Sequence, residues 1–295
     1  MINNVIIQVF INVFITSSVI LLIAISFSLI YSTTRFFHFA HAVVFTSGAY
    51  FTFLFHKLLG FPIYVAIPPA IMCAVILGCS IDSFIYKPLR GKGTSSIVML
   101  LASLGIYIFL QNLISMLFGD NTKSVRSGVV KEGINIFGAR ITPIQIVIII
   151  TAIVVTILII LFYKKTQLGR SMQAVASDRE LAEYTGINTN RVILWSFAIG
   201  SGLAALAGIL VALDVDMTPT MGMNALLMGV VVMIVGGNNI KGMVCAALLL
   251  GFAQNFGVWY ISSQWKDAIA FVILLLFLLF KPEGFFGKRI KKVSV

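Results

Sequence analysis

The sequence predicts an all-α fold, a polytopic membrane bundle of about nine helices in one domain covering residues 1–295. Mean hydropathy is +1.04 and only 11% of the residues are charged, far from the composition of a soluble globular protein. Several apolar runs reach the roughly 20 residues that a helix needs to cross a hydrocarbon core of about 30 Å. These runs are continuous rather than alternating, so they favour helices over the strands of a membrane barrel.

Each span is recognised as an apolar run bounded by polar or turn-forming residues. The spans are expected near residues 5–31, 37–57, 62–86, 95–118, 141–163, 192–213, 222–237, 242–261 and 267–281. The first has no basic region before it and is too long for a signal peptide, so it is expected to be retained. The second contains the string FHFAHA and fits either a full span or a broken, re-entrant piece.

Basic residues orient the bundle through the positive-inside rule. With nine spans, the connections 87–94 and 164–191 and the C-terminal tail fall on one side. Together with Arg35 and Lys241 they place 15 basic residues inside, against 6 outside. The N-terminus is then outside and the C-terminus cytoplasmic. The net charge of +11 is explained by this topology and by anionic lipid, so no nucleic-acid partner is expected.

Several kinds of chemistry are missing from the sequence. The string RGKGTSS at 90–96 lacks the first glycine of a phosphate-binding loop. Carboxylates are nearly absent from the span centres, which argues against an ion-coupled carrier. The three cysteines lie in apolar runs, and no nucleophile elbow or catalytic triad occurs. The sequence therefore predicts no enzyme and no ATP, other cofactor or metal bound by this chain alone.

Four polar side chains within predicted spans are candidates for a solute pathway. His38 and His41 share one face if their stretch is helical, and Gln111 and Asn112 lie in the fourth span. The histidines fit a hydrogen-bonded structural role, a pathway lining or, without a third ligand, the start of a metal site. The amides fit either interhelical hydrogen bonds or the same pathway.

Small residues recur at spacings of four in two predicted spans. Gly200, Ala204 and Gly208 form one series, and Ala247 and Gly251 form another. Such spacing lets membrane helices approach closely. It fits both ordinary tight packing and a seam along which helices move.

The polar segment 164–191 has the features of a short ordered helix. Ser177 and Glu180 form a capping box, and Gly186 stands where a helix ends, so a helix over 178–185 is predicted with a second one over 170–176. Ala174, Asp178, Leu181 and Thr185 are expected to share a face. A helix this short needs a support. The segment therefore fits either a docking element for a separate ATPase or an ordinary amphipathic loop.

Five strings in order carry a resemblance to a known family. They are YKPLR (86–90), SLGIYIFLQN (103–112), GRSMQAVASDRELAEYTGIN (169–188), KD (266–267) and KPEGFFG (281–287). With them the chain resembles, over about residues 20–287, the membrane subunits of branched-chain amino acid ABC importers, specifically the shorter of the two permease types.

The resemblance implies a permease that works with a second permease subunit, two cytoplasmic ATPases that hold the ATP and magnesium, and an external solute-binding protein. It favours a paralogue over a second copy as the other permease, in the plasma (inner) membrane of a bacterium or archaeon. It also implies that a set of loop residues couples to the ATPase: Gly169, Arg170, Ala174, Asp178, Ala182 and Gly186. The predicted helix adds Glu180 and Leu181 to this set.

Departures from the family pattern concern the contact with the ATPase, at Gln173, and otherwise the substrate. The family usually has a basic residue at Gln173, a lysine at Met228 and a further glycine where this chain has Asn238 and Asn239. Branched-chain or other hydrophobic amino acids are the expected cargo of alternating access. Urea or short amides are the alternative cargo of the same machinery, and a stand-alone carrier or channel is the alternative class.

Overall fold

A computed structural model describes residues 2–126, 133–136 and 138–286, and most of these described residues are helical. The helices are α1 (Ile2–Thr34), α2 (His41–Phe53), α3 (Ile63–Ile81), α4 (Lys87–Gly91), α5 (Ser96–Phe118), α6 (Pro143–Lys165), α7 (Gln167–Ser177), α8 (Arg179–Tyr184), α9 (Thr189–Asp214), α10 (Met221–Gly236), α11 (Ile240–Tyr260) and α12 (Lys266–Phe280). Single π-helical turns extend α2 through Leu54–Leu58 and join α3 to α4 through Asp82–Tyr86.

Seven helices of the described chain are long and apolar enough to cross a membrane, which confirms a polytopic helical membrane protein. The second and seventh predicted spans correspond to shorter helices, α2 with 13 residues and α10 with 16. At 1.5 Å per residue these helices measure about 20 and 24 Å. The helical conformation is interrupted between α1 and α2 at Arg35, which has a φ of 58°. Directly after α10, Gly237 has a φ of 74°.

α1 and α9 form the centre of the bundle. In their most apolar windows, 83% of α1 and 61% of α9 is buried, against 17% of α5 and 6% of α12. The short α2 is buried between α9, α3 and α10, so it need not span the lipid by itself. The outer helices α3, α5, α6 and α12 present their apolar side chains outward, as helices facing lipid do.

The predicted small-residue series lie at close helix contacts. A Cβ on Gly200 would lie 3.0 Å from the carbonyl oxygen of Ser26 in α1, and one on Gly208 would overlap the carbonyl of Phe45 in α2. A Cβ on Gly251 would lie 2.9 Å from the carbonyl oxygen of Val13. The tight-packing interpretation is therefore confirmed. The idea of a moving seam stays a prediction.

A β-hairpin was not expected in this all-α chain. Strands β1 (Ile134–Ile136) and β2 (Ala139–Ile141) pair antiparallel within the predicted external connection. The hairpin is attached to α1, because Gln8 donates to the carbonyl of Arg140 at 3.0 Å and accepts its N–H at 2.7 Å.

Polar connections gather at the two ends of the bundle. At one end, Lys123 forms a β-bridge with Met217, and Arg126 pairs with Asp216 at 3.5 Å. The opposite end holds α7, α8 and the turn from α10 to α11. Residues 127–132 and the tail from 287 onward, which include several predicted basic positions and the last glycine of KPEGFFG, lie outside the described residues.

Candidate functional site

The predicted coupling segment consists of α7 and α8, separated by the extended residue Asp178. Thr166 caps α7 by accepting a hydrogen bond from the N–H of Gly169 at 3.0 Å. Gly169 is buried, and a Cβ there would overlap the carbonyl of Phe162 in α6. This contact requires a glycine and fixes the start of α7 against the end of α6.

The cap of α8 differs from the predicted capping box. Ser177 is the last residue of α7, and Asp178 caps α8 by accepting the N–H of Leu181 at 3.0 Å. A carboxylate serves this position as well as a hydroxyl does and also favours the positive end of the helix. Because Asp178 is the cap, the helix begins at Arg179, one residue later than the predicted 178–185. Glu180 lies exposed in the first turn.

Gly186 ends α8 as predicted, and the helix itself stops at Tyr184, one residue before the predicted end at 185. Gly186 has a φ of 84° and follows the last helical turn. The N–H of Ile187 bonds to the carbonyl of Ala182, and the N–H of Gly186 bonds to the carbonyl of Glu183, each at 3.0 Å. These paired bonds form a Schellman motif, which satisfies carbonyls that the helix end would leave free.

The segment has one face toward the bundle and one away from it. Met172, Val175 and Ala182 are buried, whereas Leu181 is 61% exposed and Tyr184 is 88% exposed. The latter two side chains lie outside the apolar spanning helices. The exposed leucine and tyrosine therefore form the outward-facing apolar side of this short polar helix.

The single face predicted through Ala174, Asp178, Leu181 and Thr185 does not exist. The chain is extended at Asp178, so Ala174 belongs to α7 and Leu181 to α8. Ala174 is half-buried against the bundle, and Arg170 is exposed. The predicted coupling residues therefore divide between an anchoring helix and an outward-facing helix.

Side-chain hydrogen bonds hold the segment to the two central helices. Arg35, just after α1, donates from Nη2 to the carbonyl of Ala176 in α7. Thr189, the first residue of α9, donates to the carboxylate of Glu183 in α8. A short helical pair that would be marginal alone is thus supported by contacts at both of its helices.

The two candidate histidines are fully buried near the same end of α1. His38 lies in the turn before α2 rather than in a helix, and its Nδ1 lies 2.9 Å from the hydroxyl of Tyr86. The Nε2 of His41 lies 2.9 Å from the hydroxyl of Ser26. The centroids of the two rings are 5.7 Å apart. The other nitrogen of each ring, Nε2 of His38 and Nδ1 of His41, has no hydrogen-bond partner among the described residues.

This geometry favours the structural interpretation of the histidines. Each ring has one hydrogen bond, and aromatic side chains pack against it: Phe36 and Phe197 against His38, and Phe27 against His41. Within the described ranges, no group of three His, Cys, Asp or Glu side chains could hold a metal ion.

A buried ion pair next to the histidines escaped the sequence reasoning. Asp82 Oδ1 lies 2.7 Å from Arg90 Nη1, and the side chains are 2% and 6% exposed. The π-helical turn between them carries Tyr86, the partner of His38. A lone carboxylate near a span end, followed eight residues later by an arginine, was the signal that could have revealed it.

The amide pair is not joined to the histidines. Gln111 donates to Ser115 at 3.5 Å and Asn112 to the carbonyl of Ile108 at 2.7 Å, all within α5. Asn112 is exposed on the outer side of that helix. The α5 residue that does reach the histidine region is Ser103, which sequence reasoning missed and which donates to the carbonyl of Phe37.

The spanning helices, the close glycine contacts and the anchored polar helix pair define a multi-pass membrane protein. Residues 9–278 match the family described as branched-chain amino acid transport system / permease component. The chain belongs to this family, which confirms the resemblance read from the five strings.

Relatives cover almost the whole chain. The high-affinity branched-chain amino acid transport system permease protein BraD of Pseudomonas aeruginosa is 31% identical over 303 residues, or 97% of each chain. The corresponding LivH of Escherichia coli K12 is 32% identical over 288 residues, or 92% of each chain. PsaBC from Streptococcus pneumoniae, solved in complex with a Fab, has a TM-score of 0.54 at 16% identity and covers 92% of this chain and 91% of its own, which shows a shared fold.

Proposed function

We propose that this chain is a permease subunit of an ATP-driven ABC importer and moves branched-chain or other hydrophobic amino acids across the plasma (inner) membrane of a bacterium or archaeon by alternating access. The observation that carries the proposal is the anchored helix pair α7–α8, with Leu181 and Tyr184 facing outward, in a chain of the permease family. Similarity to BraD and LivH along nearly the full length supports the amino acid substrate.

In this proposal the chain provides the pathway and separate subunits provide the energy. Two cytoplasmic ATPases bind ATP and magnesium, and α8 docks on one of them. A second permease subunit, a paralogue rather than a copy, completes the pathway, and an external binding protein delivers the solute. The predicted coupling residues divide accordingly, with Gly169 and Ala174 anchoring the segment and with Asp178, Leu181 and Gly186 shaping or forming the docking helix.

The docking role is tested in proteoliposomes that contain the assembled transporter. Gly186→Val forces a branched side chain into a left-handed conformation and is expected to abolish solute-stimulated ATP hydrolysis. Gly93→Val is the matched control, because Gly93 also has a positive φ and open surroundings but lies in another turn. Equal loss of coupling in both variants contradicts the docking role.

A second pair of variants separates the shape of the cap from its charge. Asp178→Arg removes the cap and reverses the charge, and it is expected to uncouple hydrolysis from transport. Asp178→Asn keeps a good capping side chain and is expected to retain coupling. Uptake by this chain without any ATPase, at the rate of the full assembly, would instead establish a stand-alone carrier.

Import of urea or short amides by the same machinery is a second candidate function. Met228 is buried and its sulfur lies 3.5 Å from the amide nitrogen of Gln254, so this region presents an uncharged surface where related permeases usually carry a lysine. An uncharged surface suits a neutral amide better than a carboxylate. Mass spectrometry of the ligand that co-purifies with the cognate binding protein decides between the two substrates.

A further inference from the structure

A cavity of about 510 Å³ opens at the end of the bundle that carries the predicted coupling segment. It lies between the ends of α1 and α6, the inner side of α7 and the turn that leads into α11. Three cationic side chains line it, those of Arg35, Lys164 and Lys241. None of the described residues that line it carries a carboxylate.

The three cations are available to a ligand. The ion pairs of the described ranges join other residues, and Lys164 and Lys241 form no hydrogen bond from their side chains there. Arg35 uses one nitrogen of its guanidinium on the carbonyl of Ala176 and keeps its other donors. Positive charges that converge without a counter-charge favour an anion.

Uncharged donors and a helix dipole add to this preference. Ser177, with its hydroxyl, and Gln173, with its amide, line the cavity. The 21-residue helix α11 begins at the cavity wall, where Asn239 caps it. The N-terminus of a helix attracts negative charge through its free N–H groups and its dipole.

The backbone around the cavity is held in unusual conformations. Arg35 and Asn238, both lining residues, have φ values of 58° and 51° and are the non-glycine residues with positive φ in the described ranges. Such conformations persist only where the surroundings impose them, and they cluster at binding sites.

We propose that this cavity binds a phosphate-bearing anion on the side of the membrane that carries α7 and α8. The ligand chemistry is a phosphate group with net negative charge, supplied either by the headgroup of an anionic phospholipid or by a soluble phosphate. The occupant bridges Lys164 of α6, Gln173 of α7 and Lys241 of α11, so it holds the anchoring helix of the coupling segment against the bundle. This binding is independent of the transported solute.

The test uses the full chain purified in detergent and stripped of lipid. In one arm, native mass spectrometry compares the retention of added phosphatidylglycerol with that of zwitterionic phosphatidylcholine. In the other, inorganic pyrophosphate is titrated at 0.15 M salt and thermal stabilisation is recorded. Each lysine near a phosphate contributes a factor of about 5, so Lys164→Gln/Lys241→Gln is expected to weaken binding roughly 25-fold.

The control variant Lys92→Gln/Lys165→Gln removes the same charge from exposed lysines that do not line the cavity. It is expected to bind like the wild type. Selective retention of phosphatidylglycerol identifies a lipid source, and stabilisation by pyrophosphate identifies a soluble one. Equal retention of both lipids without a response to pyrophosphate overturns the proposal, as does an equal loss in the control variant.

A second variant covers a failure of the double substitution to fold. Gln173 is exposed, so Gln173→Glu is expected to fold normally while it places a carboxylate at the cavity. Like charges repel, and binding of the anion is expected to weaken at least fivefold. Unchanged binding in this variant overturns the proposal.

Discussion

Replacing Asp82 with asparagine is expected to destabilise the protein by about 3–5 kcal/mol, the loss that follows when one partner of a buried ion pair is removed. The pair is short, with 2.7 Å between Arg90 Nη1 and Asp82 Oδ1, and the side chains are buried, with 6% of Arg90 and 2% of Asp82 exposed. Nε and Nη2 of Arg90 have no hydrogen-bond partner among the described residues. Asp82→Asn therefore leaves a buried guanidinium whose charge nothing balances.

The same reasoning predicts a rescue. In Asp82→Leu/Arg90→Met both charges are removed together, and stability is expected to return to within about 1 kcal/mol of the wild type. The measurement is the unfolding free energy of the purified chain in an SDS titration, followed by helical circular dichroism. The control is Asp216→Asn, which breaks the exposed pair with Arg126 and is expected to change stability by less than about 1 kcal/mol. If Asp82→Asn is no more destabilising than this control, the ion pair does not contribute as argued.

Three further substitutions test packing, capping and the buried polar pairs. Gly208→Ala is expected to lower stability by about 1–3 kcal/mol in an SDS titration, because its Cβ would overlap a backbone carbonyl of α2. The control Gly105→Ala has open space around the new Cβ and is expected to be neutral. Similar values for both variants would refute the close contact. Asp178→Ala removes the cap, and it is expected to weaken α8 by about 1 kcal/mol and to speed the amide hydrogen exchange of this helix. Asp178→Asn is expected to restore the exchange rate. Unchanged exchange in Asp178→Ala would rule out the cap. Ser26→Ala removes the partner of His41 Nε2 and is expected to lower stability by about 1–3 kcal/mol in thermal unfolding; no loss would show that the bond is dispensable.

Features decided by neighbouring residues were predictable from the sequence. The Schellman end at Gly186 follows from a glycine and an apolar residue directly after a polar helix. The cap was placed one residue too early because Ser177 and Asp178 are adjacent and both are good caps. The choice depends on how far α7 runs, which is set by the packing of Met172 and Val175 against the bundle rather than by local sequence.

Features decided by residues far apart in the chain were not predictable. His38 and Tyr86 are separated by 48 positions, and Gln8 and Arg140 by 132, so no local pattern connects them. The short lengths of α2 and α10 also depend on packing between residues that are far apart in the chain. Hydropathy shows that a segment is apolar enough to lie in the membrane. A helix that is surrounded by other helices can be equally apolar without crossing the whole membrane.

The contacts of α7 and α8 with the bundle determine which helices a movement of the proposed docking helix would displace. α7 and α8 are tied through Arg35 to the end of α1 and through Thr189 to the start of α9. These two helices form the buried centre of the bundle and meet at Gly200, where backbone and side chains leave no room for an added methyl group. Closely packed interfaces shift between discrete arrangements rather than deform gradually. Under the proposed docking role, a displacement of Leu181 and Tyr184 is therefore expected to pass directly to α1 and α9 through Arg35 and Thr189, and to α6 through the close contact of Gly169 with Phe162.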